Sequence, residues 1–245
     1  MRAAILGATR GMGRALARRM AERGDAVFLL GRDAADLERS ARDLEARAGR
    51  GAVGFAECDL ERTETFGPAL AAAEAQMGGL DAVVVTAGVF ATQDALESDL
   101  ERTRQLLHVD FTQTILFCET ARARLLARGG GTLCVFSSVA GERGRKPVVL
   151  YGAAKAGLTR YLEALDHRFH GTGLRVVCVK PGFVKTSMTD GLPVPPFAGE
   201  PDAVAATVLR AIDRGTPVVY APPIWRLVMT VIRALPRAVL RKIGF

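Results

Sequence analysis

Tyr151 and Lys155 bracket the run Tyr151-Gly-Ala-Ala-Lys155 at the start of a predicted helix. Residues four apart share a helix face, so a phenol and an ammonium can serve one site. A cation beside a phenol favours phenolate and draws the tyrosine down from its ordinary value of about 10. Such a tyrosine donates a proton to a carbonyl being reduced and accepts one in the reverse direction. Tyr-x-x-x-Lys runs also occur as surface pairs, so context decides the meaning. Here Ser138 precedes Tyr151 by thirteen residues and follows a predicted strand ending in Phe136-Ser137-Ser138. Ligands of open α/β sheets sit beyond the carboxyl ends of the strands. A serine there is placed to hydrogen-bond the substrate oxygen.

A second group of residues suits a dinucleotide. The first strand runs into Gly7-Ala8-Thr9-Arg10-Gly11-Met12-Gly13, which opens a helix. Glycines allow a tight turn and close approach of a pyrophosphate, and the helix N-terminus supplies free N–H groups. The spacing is GxxxGxG rather than GxGxxG, so the argument rests on its place between strand and helix. The second strand ends in Leu30-Gly31-Arg32. Gly31 offers no carboxylate for a ribose 2′-hydroxyl, whereas Arg32, with Arg10 as second candidate, can pair with a 2′-phosphate. This favours NADP over NAD. Asp33 reads as the cap of the next helix. Asp59, at the end of strand three, is placed either to contact the adenine amine or to cap a helix.

These groups need elements that bring them to one edge. Apolar runs predict strands at 3–6, 26–30, 52–58, 82–86, 132–136, 175–180 and 217–221. Helical patterns fall at 11–23, 34–47, 65–77, 99–128, 150–170 and 201–214. Strands alternating with helices predict an α/β, doubly wound Rossmann fold: a seven-stranded parallel sheet with helices on both faces. Residues 1–221 read as a single catalytic domain and 222–245 as a basic amphipathic tail, with 186–199 a proline- and glycine-rich loop. Nearly half of the 245 residues are apolar and 24% are charged, which predicts a packed core and excludes wholesale disorder. Cys58, Cys118, Cys134 and Cys178 lack metal or disulfide spacing and read as buried thiols. His108, His167 and His170 show no ligand spacing, so no metal is expected. The apolar run at 3–6 is too short for an export signal, and no stretch reaches the roughly 20 residues of a membrane span. A cytoplasmic protein is expected.

Taken together, these pieces resemble the short-chain dehydrogenase/reductase family over essentially the whole chain. The matching runs are Gly7-x-x-x-Gly11-x-Gly13, Asp59-Leu60, Thr86-Ala87-Gly88, Ser138, Tyr151-x-x-x-Lys155, and Pro181-Gly182 followed by Thr186. The resemblance implies that Ser138 orients a carbonyl, Tyr151 protonates it and Lys155 also holds the nicotinamide ribose. It implies cofactor contacts from Thr9, Met12, Leu60, Ala87 and Gly88, and from Pro181, Gly182, Val184 and Thr186 at the nicotinamide end. Two positions depart from the family pattern. Val85-Thr86 stands where the family often has Asn-Asn, and Asp110 stands where it has a catalytic asparagine. Asp110 can keep the main-chain role of that asparagine, and its carboxylate would offset part of the effect of Lys155 on Tyr151.

Two basic segments bear on the substrate. The loop 140–147 carries Arg143, Arg145 and Lys146, which either face a substrate phosphate or are merely solvated. The tail carries Arg226, Arg233, Arg237, Arg241 and Lys242 with no acid after Asp213, most of the net charge of +7. At 100° per residue its four arginines fall within about 80°, opposite Val228, Val231, Ile232, Leu235 and Val239, with Trp225 and Phe245 at the ends. Pro236 is expected to kink or divide the helix. The pattern suits a helix lying at an anionic membrane surface, the alternative being a helix packed on its own domain or on a partner subunit. The segments 140–158, 181–188 and 221–245 resemble the decaprenylphosphoryl-2-keto-pentose reductases. That resemblance implies a ketone on a polyprenyl-phosphate-linked sugar, a partner oxidase that makes it, and peripheral contact with the inner membrane face. The other enzymatic reading is a 3-ketosphinganine or 3-ketoacyl reductase, and the non-enzymatic one a nucleotide-sensing scaffold. A homo-oligomer is expected. Nucleic acid is not, because the charge sits among apolar residues at helical spacing without a recognition motif.

Overall fold

The computed structural model describes residues 1–49 and 53–243. In chain order the first half comprises β1 (Arg2–Leu6), α1 (Gly11–Arg23), β2 (Ala26–Gly31), α2 (Ala34–Ala48), β3 (Gly54–Glu57), α3 (Phe66–Met77), β4 (Ala82–Val85) and α4 (Gln93–Glu97). Then follow α5 (Leu100–Leu107), α6 (Thr114–Ala127), β5 (Gly131–Phe136), α7 (Val149–Arg168), β6 (Leu174–Pro181), α8 (Pro201–Arg214), β7 (Val218–Ala221), α9 (Ile224–Ala234) and α10 (Arg237–Leu240). The strands form one parallel sheet in the order β3-β2-β1-β4-β5-β6-β7. The order reverses between β1 and β4, and this switch point opens a crevice at their carboxyl ends.

Both faces of the sheet are buried, which is why its strands read as nearly continuous apolar runs. One face packs Leu16 and Met20 of α1, Leu37 and Leu44 of α2, and Val208 and Ile212 of α8. The other packs Phe66 and Leu70 of α3, Phe117 and Leu125 of α6, and Leu158 and Leu162 of α7. Phe66 and Phe117 meet edge to face at 5.3 Å. All four cysteines are buried free thiols. Burial pushes the Cys178 thiol up to about 11. Among the described residues no helix is long and apolar enough to cross a membrane.

Several boundaries move. Strand three was expected from residue 52, which lies outside the described residues. The observed strand ends at Glu57, although the Cys58 N–H still donates to Gly31 O at 2.8 Å. The expected single helix at 99–128 is interrupted. Asp99 does cap it, accepting from the Glu101 and Arg102 N–H groups. Residues His108–Gln113 then form a π-turn between α5 and α6. Thr114 Oγ1 donates to Val109 O at 2.7 Å, five residues back, inside that turn. Helix α4 was not expected. It has five residues and is capped by Thr92, whose side chain accepts from the Ala95 N–H.

The tail folds back onto the sheet. Trp225, Met229 and Ile232 bury against Val139, with Tyr220 and Val228 beside them. Pro236 separates α9 from α10. The apolar face expected from the wheel is therefore split. Ile232 is buried, Val228 and Leu235 are half-buried, and Val231 and Val239 face solvent. Too many positions of α9 are apolar for one face to hold them, and Trp225 and Met229 select the inner side. Phe245 lies outside the described residues.

Candidate active site

The turn after β1 forms the floor of the crevice. Gly7 has φ +89°, and a Cβ there would lie 2.6 Å from Ala87 N. A Cβ on Gly13 would strike Gly7 O and Thr86 Oγ1. Glycine is required at both positions for the backbone of two strand ends to meet. Thr86 Oγ1 donates to Leu6 O at 2.9 Å and to Gly7 O at 3.1 Å, fastening the end of β4 to the turn. The departure from Asn-Asn therefore supplies a staple between β4 and the turn.

A cleft of about 360 Å³ lies over this turn. Of the residues expected to bind a cofactor, Gly7, Thr9, Arg10, Gly11, Met12 and Gly13 line it on the β1 side. Arg32, Asp59 and Leu60 line it beyond β2 and β3, and Ala87, Gly88 and Thr186 at the other end. The glycine cradle, the free N-terminus of α1 and the dimensions of the cleft fit a dinucleotide. At its outer end Asp33 accepts the Asp36 N–H at 2.8 Å and so caps α2. Asp36 pairs with Arg10 at 2.9 Å and with Arg39. Asp59 accepts the Glu61 N–H at 3.0 Å, a local turn, while remaining on the cleft wall.

The residues expected to be catalytic stand at the other end, where β5 hands over to α7. Ser137 Oγ donates to Lys155 O at 3.0 Å and lies 2.7 Å from Thr159 Oγ1, tying the strand end to the helix. The neighbouring Ser138 is buried and accepts the Ala140 N–H at 3.1 Å. Tyr151 is half-buried, its ring edge-to-face with Phe90 at 5.2 Å and 5.5 Å from Lys155 Nζ. The π-turn aims Asp110 into the same site. Asp110 is fully buried, with Oδ1 accepting the Val89 N–H at 2.7 Å and Oδ2 3.2 Å from Lys155 Nζ. A Cβ on Gly88 would lie 2.9 Å from Asp110 Oδ1, so this loop has room only for glycine.

The electrostatics correct one expectation. The Tyr–Lys spacing alone predicts a tyrosine drawn below its ordinary value. Instead Tyr151 is raised: burial of the phenol dominates, Lys155 opposes it, Asp110 adds to it, and the Ser138 hydrogen bond opposes it. Burial would lower Lys155, but Asp110 and then Tyr151 outweigh it and hold the ammonium above its ordinary value.

Pro181, Gly182 and Val184 stand apart from the cleft wall. Pro181 ends β6, and the Val184 side chain is packed in the core, so Val184 offers a ligand only its main chain. A Cβ on Gly182 would collide with the Trp225 indole, whose Nε1–H donates to Phe197 O at 3.2 Å. Trp225 thus links the tail, the Pro181-Gly182 turn and the loop at 186–199, a role invisible without the packing. The basic loop is also reassigned. Arg143 donates to Leu235 O at 3.2 Å and Lys146 Nζ to Arg241 O at 2.8 Å. These carbonyls end α9 and α10, where cations are favoured. The two side chains therefore hold the tail instead of facing a substrate phosphate, and Arg145 is half-buried. Sequence reasoning also passed over Glu142. Its buried carboxylate binds Lys180, accepts the Tyr220 hydroxyl at 3.0 Å and lies 3.1 Å from Arg233 Nη1.

Comparison with known proteins agrees with this geometry. An uncharacterized oxidoreductase of Mycobacterium tuberculosis (strain ATCC 25618 / H37Rv) is 36% identical, covering 97% of this chain and 95% of that protein. A short-chain type dehydrogenase/reductase from Mycobacterium marinum superposes with a TM-score of 0.81 at 23% identity, covering 89% of this chain and 93% of that one. An actinorhodin polyketide ketoreductase with NADPH has a TM-score of 0.79 at 24% identity, covering 89% and 94%. At those identities the structures speak for the fold alone. Residues 1–193 match the family model for short chain dehydrogenase. With the glycine cradle, Ser138, Tyr151 and Lys155 at the same sheet edge, the chain is a member of the short-chain dehydrogenase family, an NAD(P)-dependent oxidoreductase.

Proposed function

We propose that this protein is an NADPH-dependent ketone reductase acting on an amphipathic substrate. The observation that carries the reading is the placement of Ser138, Tyr151 and Lys155 beside a glycine-lined cleft at the carboxyl edge of the sheet. When bound, a reduced nicotinamide supplies the hydride for the carbonyl carbon. The Ser138 hydroxyl orients the carbonyl oxygen, and Tyr151 transfers its proton to that oxygen as the alcohol forms. Lys155 holds the ribose and, with solvent, restores the phenol. Preference for the 2′-phosphate rests on Arg32 at the outer end of the cleft, with Arg10 beside it shared with Asp36 and Asp33 committed to its helix.

An amphipathic substrate is supported by exposed apolar and basic side chains on the loop after β6 and on α9 and α10. Met188, Val194 and Phe197 on the loop after β6 are exposed, as are Leu227 and Val231 on α9. Arg226, Arg233, Arg237, Arg241 and Lys242 are exposed around them, which suits peripheral contact with an anionic membrane. A polyprenylphosphoryl 2-keto-pentose made by a partner oxidase is the first substrate to test, and 3-ketosphinganine and 3-ketoacyl esters are the others. Exposed Phe111, Leu116 and Val149 on the side of α5–α7 give a homo-oligomer an apolar face to cover.

NADPH oxidation across these three ketone classes tests the substrate, and turnover of none of them removes the lipid reading. Tyr151→Phe is expected to lose about 10²–10⁴ in turnover while still binding NADPH. Near-normal turnover by that variant would sink the mechanism. Arg32→Ala is expected to weaken NADPH roughly tenfold or more and NADH little. An equal loss for both cofactors refutes the selectivity.

A further inference from the structure

The carboxylate beside Lys155 bears on the protonation of Tyr151. Asp110 has no exposed surface, its Oδ2 is 3.2 Å from Lys155 Nζ, and Lys155 is itself buried. The π-turn at His108–Gln113 sets the side chain there, and the Val89 N–H fixes its other oxygen at 2.7 Å. An uncharged asparagine amide would leave the ammonium as the net charge of this pocket. With a carboxylate, the pair is neutral overall, whichever partner holds the shared proton.

We propose that Asp110 is a positioning residue that cancels the Lys155 charge and so keeps Tyr151 in its proton-donating form across the working pH range. The proposal rests on the reductase reading and adds the protonation state of its proton donor. In reduction, the carbonyl carbon gains a hydride from the reduced nicotinamide and the oxygen gains the Tyr151 proton. In oxidation, the alcohol gives its hydroxyl proton to the Tyr151 phenolate and its hydride to the oxidised nicotinamide. Only the second direction requires phenolate at the start. Burial and Asp110 both raise Tyr151, and the ammonium and Ser138 oppose them. The neighbours are few. Helix α7 brings Lys155 and Tyr151, the loop after β4 brings the main chain of Gly88 and Val89, and the loop after β5 brings Ser138. His108, on the same π-turn, is engaged by Gln113 at 2.8 Å.

Asp110→Asn tests this, because the amide oxygen still accepts the Val89 N–H. The first readout needs no turnover. Ultraviolet titration of the tyrosines, with Tyr151→Phe subtracted, gives the ionisation midpoint of Tyr151 in the protein without cofactor. The parent midpoint is expected above the free-phenol value of about 10. Asp110→Asn is expected to lower it by about one pH unit or more, since a charge a few ångströms away is removed. A parent midpoint below that of free phenol overturns the proposal, even if the variant does not fold. A variant that ionises with the parent, or that stays un-ionised alongside it, overturns it too.

The second readout is kcat/KM against pH in both directions. Asp110→Asn is expected to move the pH at which alcohol oxidation reaches its plateau downward by the same midpoint shift. The alkaline fall in ketone reduction moves to lower pH, and KM for the ketone is unchanged. A uniform loss at every pH, with both profiles unmoved along the pH axis, identifies a merely structural role and overturns the proposal. If the parent reduces no ketone, the reductase reading fails and the titration still judges Asp110. If the parent reduces ketones and the titrations coincide, only the proposal about Asp110 fails.

Discussion

Among the described residues two lysine–carboxylate pairs are buried, and their surroundings differ. Lys180–Glu142 joins β6 to the loop before α7, and the same carboxylate also takes the Tyr220 hydroxyl and Arg233. Lys155–Asp110 has one further donor, the Val89 N–H, and acts electrostatically on Tyr151, the proposed proton donor. The carboxyl groups respond in opposite directions. Burial pushes Glu142 up, but Lys180, Tyr220 and Arg233 together hold it below the usual carboxylate range. Burial pushes Asp110 up, and Lys155 with Val89 does not compensate. A buried ion pair is a fixed strut when every lone pair has a donor. With fewer donors its charge stays available to a neighbour.

The contrast can be broken by experiment. Glu142→Ala leaves Lys180 buried without its partner and is expected to cost about 3–5 kcal/mol in denaturant unfolding. Asp110→Ala is expected to cost less, about 1–3 kcal/mol, because one backbone donor is orphaned and Lys155 can turn toward the cleft. Equal losses would abolish the distinction between strut and site.

The pH dependence sharpens the contrast further. The folded Glu142 titrates below its unfolded value of about 4.3. Its contribution is therefore complete above that value and is lost as pH falls through the folded value. Glu142→Gln is insensitive to pH at this position. The stability gap between parent and Glu142→Gln is thus expected to narrow as pH drops below about 4, and a constant gap counts against the assignment. The smallest effect is expected from Arg233→Ala. Its side chain is 49% exposed, so solvent screens the pair, and the loss should stay below about 1 kcal/mol by thermal melting.

What the sequence disclosed followed from local rules. The nearly all-valine β4 and the glycine turn after β1 announce themselves because a strand buried on both faces and a tight turn leave few residue choices. Ser138, Tyr151 and Lys155 were legible because strand end and helix start set their spacing. The π-turn was not, since one extra residue in a helix barely alters an apolar pattern. That turn decides where the Asp110 carboxylate points. Arg143 and Lys146 misled for a different reason. A basic loop looks the same whether it meets a phosphate or a helix C-terminus, and the partner lies 92 and 95 residues away. The inner face of α9 was hidden because Leu227 and Val231 are as apolar as Met229 and Ile232, and only the position of the Val139 loop separates them.

The contact between Gly182 and Trp225 gives the molecule an optical reporter. The sequence has one tryptophan, and its indole touches the turn after β6 while its N–H holds the loop that follows. Any movement of that loop changes the surroundings of this one fluorophore. A ligand that displaces that loop would therefore register in the intrinsic emission of the unlabelled protein, with no background from other indoles.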